Sequence, residues 1–147
     1  MLFNMFTKKG FENMSVEKAR NNYIGKGCTR KNCAQSVSDA FKETFDLENE
    51  MIDSMESCGT GRAPGGVCGA YYAGKRIAER QDKQNALEFE KYFREQAGAL
   101  ECKTIRGLRK LPCVGCVEKS SEFLEKISKD RMVVDNNPAR VLELARK

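Results

Sequence analysis

Histidine and tryptophan are both absent from this chain, and only three prolines interrupt its 147 residues. Without histidine there is no Cys–His nucleophilic pair, and any cysteine catalysis must draw on helix dipoles, Lys, Arg or a carboxylate. Soft-metal or redox chemistry falls to sulfur. No apolar run approaches the roughly 20 residues that span a bilayer, so membrane insertion is not expected. Met1-Leu2-Phe3-Asn4-Met5-Phe6 is too short for a secretory signal and lysines follow rather than precede it, so the expected compartment is the cytoplasm. No stretch alternates apolar with polar for the length of a strand, and no internal repeat or low-complexity tract is present.

What the chain has instead is seven cysteines: Cys28, Cys33, Cys58, Cys68, Cys102, Cys113 and Cys116. In a reducing compartment an odd set of thiols reads as metal-binding or catalytic rather than as disulfide staples. The net charge of +5 is modest, and its carriers are interleaved with acids, as in Glu79-Arg80-Gln81-Asp82-Lys83. That is the pattern of solvated helix faces, and no nucleic-acid partner is expected. The densest basic stretch, residues 103–110, is flanked by Cys102 and Cys113 and is placed to serve thiolates.

Strong helix formers dominate, so the expected class is all-α: a single-domain helical bundle of about six to seven helices spanning residues 1–147. Residues 1–14 read as a loosely ordered start. Ser15 is then the expected cap of a helix through Ile24, ended by Gly25 and Gly27. Cys33, Val37, Ala40, Phe41 and Phe45 fall at helical spacing. A short acidic helix is expected to begin at Asp46-Leu47-Glu48. The stretch 58–66, with four glycines and Pro64, must be a loop. Residues 67–74 follow as a buried central helix. A further helix from Asn85 to Ala97 carries a stripe of Ala86, Phe89, Phe93 and Ala97, widened by Leu87 and Tyr92. Cys102 opens a short turn through Leu108. Pro112 is the expected first residue of a helix burying Val117, Ser120, Ser121, Leu124 and Ile127. Residues 137–147 form a last amphipathic helix, whose stripe serves core packing or a homodimer.

On this reading Cys33, Cys68, Cys102 and Cys113 each lie at a helix start, where free N–H groups and the dipole favour a thiolate. Lys31, Arg62, Lys103 and Arg109 are the expected basic neighbours. Cys113-Val114-Gly115-Cys116 is a C-x-x-C whose three-residue step puts both sulfurs on one face. Val117 stands where c-type haem attachment requires histidine, so no such haem is expected. The glycine loop lacks the Gly-Lys-Ser/Thr ending of a nucleotide loop and reads as the turn that delivers Cys68 into the core. Tyr71 and Tyr72 are core residues, either of whose phenols could meet a sulfur.

Asn32-Cys33-Ala34-Gln35 opening a helix, a glycine loop running into Cys68-Gly69-Ala70, then Cys102, then Cys113 before a helix: this order resembles the C_GCAxxG_C_C family of redox-active helical proteins, over about residues 32–127. The resemblance implies Cys33, Cys68, Cys102 and Cys113 as the four family cysteines, and a fold similar to split-Soret cytochromes without their haem motif. Ala73 departs from the motif, standing where its last glycine belongs, with Gly74 one step late. The functions implied are an iron–sulfur cluster or other metal on Cys33, Cys68, Cys102 and Cys113, passing electrons to an unidentified redox partner, or thiol–disulfide cycling at Cys68, Cys113 and Cys116. A Cys₄ zinc-stabilised binding module or soft-metal sensor is the alternative. Cys28 and Cys58 are accessory candidates.

Overall fold

A computed structural model describes the backbone of residues 14–135 and the side chains through residue 129. The segment 1–13 and the expected last helix at 137–147, with its dimer stripe, lie outside the described residues. Within them the protein is all-α. Seven helices succeed one another: α1 (Met14–Ile24), α2 (Cys33–Ala40), α3 (Asn49–Ser54), α4 (Gly69–Gln81), α5 (Lys83–Ala97), α6 (Cys102–Leu108) and α7 (Cys113–Asp135). Short 3₁₀ turns at Met55–Cys58 and Pro64–Gly66 punctuate the loop between α3 and α4.

Helix α4 is central and packs against α2, α5 and α7, while α1 lies across α2 and α7. Its buried face is built of small residues, Gly69, Ala70, Ala73, Gly74 and Ala78, with Ile77. Gly74 has no room for a side chain, because a Cβ there would collide with Phe89 and Ser120. Ala73 is itself fully buried, so the close approach falls one position after the residue where the family motif places its glycine. On the far side Phe89 stacks on Tyr71 with ring centroids 5.7 Å apart and meets Phe123 edge-on at 5.2 Å. Each such buried side chain contributes about 1.5–3 kcal/mol.

Local chemistry moves several boundaries from where periodicity puts them. The first helix already includes Met14, so Ser15 lies inside it rather than capping it. Gly25 adopts φ 78° and ends α1, its N–H and that of Lys26 both donating to the Asn21 carbonyl. Asp46 takes the left-handed φ of 51° and the Leu47 N–H donates back to the Lys42 carbonyl at 2.8 Å, so the acidic helix starts at Asn49. Asp82 caps α5 by accepting from the Gln84 N–H at 2.9 Å. On α5 Leu87 is 63% exposed and falls off the buried stripe, while Tyr92 packs against Phe123. Pro112 immediately precedes α7 and accepts from the Cys116 N–H through its carbonyl, one position before the first-turn place expected of it. Val67 and Cys68 are held out of α4 because Val67 pairs with Glu101 and the Cys68 N–H donates to the Leu100 carbonyl at 2.8 Å. That pairing ties the start of α4 to the start of α6.

Candidate functional site

Four helix starts converge. Helices α2, α6 and α7 begin at Cys33, Cys102 and Cys113, and Cys68 stands just ahead of α4. All four cysteines line one pocket of about 330 Å³, together with Tyr23, Arg30, Lys31, Asn32, Thr60 and Arg106. Asn32 positions the first wall. Its side chain accepts from the Gln35 N–H at 2.7 Å to start α2, and its Nδ2 donates to the carbonyls of Met55 and Glu56. Gly59 must lack a side chain because its Cβ would stand 2.6 Å from that of Asn32. Gly69 does the same for sulfur, a Cβ there lying 2.5 Å from Cys33 Sγ and 2.7 Å from the Cys58 carbonyl oxygen.

All seven cysteines are free thiols. The Cys33 thiol interacts with Cys68, and Cys68 in turn with Cys116, so three sulfurs form a row from the pocket into the core. Cys116 is 1% exposed and sits at the inner end of that row. On the opposite wall Cys113 interacts directly with the Arg106 guanidinium and the Tyr23 phenol. Cys102 lies within electrostatic reach of Cys113 and Cys33. Backbone N–H groups of Thr60 and Ala70 point at the Cys33 sulfur, and that of Tyr71 at Cys68. Cys28 and Cys58 are elsewhere: Cys28 is exposed and faces Asn21 and Asn22, whereas buried Cys58 donates to the Ser54 carbonyl at 3.7 Å.

Helix starts were expected to make these thiols acidic, and the opposite holds for three of them. Contact with Cys68, followed by burial, pushes the Cys33 thiol far up. Contact with Cys116 pushes Cys68 up to about 12, burial adding to it. Burial raises Cys102 against the lowering pull of Arg106. The magnitudes explain the direction: a helix terminus is worth about 0.3–2 kcal/mol, or at most roughly 1.5 pKa units, whereas burial shifts a group by up to 3–5. The native state therefore keeps protons that an unfolded chain releases above the ordinary thiol value of 9.0. Stability from these thiols is full below pH 9 and is lost as pH rises through the folded values, about 12 for Cys68. Urea midpoints should fall between pH 9 and 11, and Cys68→Ala should flatten the slope; an identical slope in the variant would contradict this.

The residues missed by sequence reasoning are Tyr23, Arg30, Thr60 and Arg106. Arg106 was legible in principle, one helical turn beyond Cys102 in a basic run. Arg62 instead donates to the Gly59 carbonyl, and Arg109 ends α6 in a left-handed turn. Neither faces the pocket. Tyr71 donates to Glu90 at 3.0 Å and Tyr72 accepts from Arg76 at 3.0 Å, so the phenol that meets sulfur is that of Tyr23.

A family profile described as "Putative redox-active protein (C_GCAxxG_C_C)" matches residues 31–127. The chain belongs to the C_GCAxxG_C_C family. No curated protein and no solved structure matches it. The four cysteines that the resemblance assigns to the C_GCAxxG_C_C pattern are the four that line the pocket, and Cys116 is buried behind them. Among the described residues no three Cys, Asp or Glu side chains are grouped so as to hold a metal ion. No helix among the described residues is long and apolar enough to cross a membrane.

Proposed function

We propose that the pocket is a dithiol–disulfide redox site, in which Cys113 attacks, Cys116 resolves and Cys68 takes up the disulfide from Cys116. The observation that carries this reading is a continuity of sulfur: Cys113 opens to the pocket beside Arg106, Cys116 lies one turn along the same helix, and Cys116 meets Cys68. The attacked group is a disulfide: its S–S bond breaks, one half leaves as a thiol, and the other stays on Cys113. Cys116 then displaces that half, forming Cys113–Cys116 and releasing a second thiol. The two protons lost by the protein end on the two leaving thiols. Exchange with Cys68 frees Cys113 as a thiol, and exchange with Cys33 then carries the disulfide along the sulfur row to thiols that also line the pocket.

The test is peptide mapping after brief treatment with a small disulfide. An intramolecular bond at Cys116 is expected in the native chain, and Cys116→Ala should trap the mixed disulfide on Cys113. Cys113→Ser should slow the reaction by at least tenfold. An unchanged product and rate in both variants would exclude this assignment.

A second reading is favoured by one specific observation, that four sulfurs from four helix starts share a pocket with room for several atoms. An iron–sulfur cluster would be held by Cys33, Cys68, Cys102 and Cys113 and would supply one-electron transfer. The all-thiol donor set suits it, and the N–H groups of Thr60, Ala70 and Tyr71 would stabilise charge on sulfur. Anaerobic purification with iron and sulfide analysis separates the readings. Iron and sulfide in matching, retained amounts favour the cluster; colourless protein that forms the Cys116 disulfide favours exchange.

A further inference from the structure

The charges around the pocket are all of one sign. Arg30, Lys31 and Arg106 line it, and no Asp or Glu does. Among the described residues the ion pairs include Arg20 with Glu118, Arg94 with Glu90 and Lys119 with Glu122, and none of these takes up Arg30, Lys31 or Arg106. Arg30 is held over the Tyr23 ring, 5.5 Å from its centroid, and Arg106 faces Cys113. A second concavity of about 410 Å³ shares Thr60, Cys102 and Arg106 with the first and is lined as well by Lys103 and Glu101. The two adjoin at Cys102 and Arg106. Volumes of this order suit small molecules.

Resting on the exchange reading above, the geometry points to a small disulfide bearing carboxylates as the substrate class, held by Arg30 and Lys31 while Cys113 attacks its sulfur. Cationic walls gather an anionic reactant and exclude a cationic one, while the thiols supply the chemistry. The reaction is the balanced one already written: the protein dithiol is oxidised to a disulfide, and the bound disulfide is reduced to two anionic thiols. Those products carry the same carboxylates, and Lys103 extends the positive track along which they leave.

The experiment compares three probes at low salt: 3,3′-dithiodipropionate, bis(2-hydroxyethyl) disulfide and cystamine, which are anionic, neutral and cationic. Each rate with the full chain is divided by its rate with 2-mercaptoethanol, which removes differences in leaving group. The expected order is anionic, then neutral, then cationic, with the outer two separated by roughly a hundredfold, within the range that charged clefts produce. Raising the salt should compress that ratio, and Arg30→Gln with Lys31→Gln should bring it at least tenfold closer to one. Equal normalised rates, or a faster reaction with cystamine, would overturn the anionic substrate while leaving exchange standing. No reaction with any of the three would overturn exchange itself and this inference with it.

Discussion

Gly69→Ala is expected to cost about 1–3 kcal/mol of stability and to free Cys33 from Cys68. The new methyl would stand 2.5 Å from Cys33 Sγ, 2.7 Å from the Cys58 carbonyl oxygen and 3.2 Å from the Ala34 nitrogen. Two of these neighbours are backbone atoms anchored by α2 and by the Asn32 contacts, so only the sulfur can yield easily. Swinging it away breaks the Cys33–Cys68 contact, the main reason that the Cys33 thiol resists ionisation. Chemical denaturation should therefore shift to lower urea while Cys33 alkylates faster at neutral pH than in the native protein. Stability within 0.5 kcal/mol of the native value, a change typical of neutral surface sites, with unchanged alkylation would show that Gly69 holds nothing in place.

Phe89→Ala is expected to have the largest effect on folding, about 3–5 kcal/mol, because it removes a fully buried ring and leaves a cavity between α4, α5 and α7. Phe89 meets Tyr71, Phe93 and Phe123, and it fills the space that the absent side chain of Gly74 leaves open. For a chain of this length the melting temperature should fall by roughly 10–15 °C. Calorimetry reads both quantities. A loss below about 1.5 kcal/mol would mean that α4 and α5 close over the gap, and that the small residues of α4 permit sliding rather than enforce a fixed approach.

How far these features could be read from residues alone follows from the range of the forces involved. The stripe on α5 and the buried row on α7 repeat at helical spacing, and burial of Ala86, Phe89, Phe93, Val117 and Leu124 follows that spacing. Boundaries were less legible. Asp46, Pro112 and Ser15 are all residue types that start or cap helices, yet a left-handed turn displaces one start, Pro112 sits one position before its expected role, and Ser15 lies inside its helix. Leu87 is apolar but lies on the wrong side of α5, where no neighbouring helix covers it. These are choices between local options of similar energy, decided by contacts distant in sequence.

The cysteines divide in the same way. A C-x-x-C spacing makes Cys113 and Cys116 look like a self-contained pair, but the fold also turns Cys116 toward Cys68. Helix-start position suggested four activated thiols, whereas burial and mutual contact hold Cys33, Cys68 and Cys102 protonated. The local dipole was visible in the order of residues; desolvation was not, because it depends on which elements close over the sulfur.

By itself the sequence determined the all-α class, the absence of histidine chemistry, the family pattern and the placing of four cysteines at helix starts, since each follows from composition or from spacing along the chain. Only the tertiary structure decided that those starts meet at one pocket, that Cys116 stands behind Cys68, and that Tyr23, Arg30 and Arg106 join them. Residues 23, 68 and 113 come to line one pocket when α1 and α4 pack against their neighbours α2 and α7, and the small side chains of α4 let those neighbours come close enough for Cys68 to interact with Cys116.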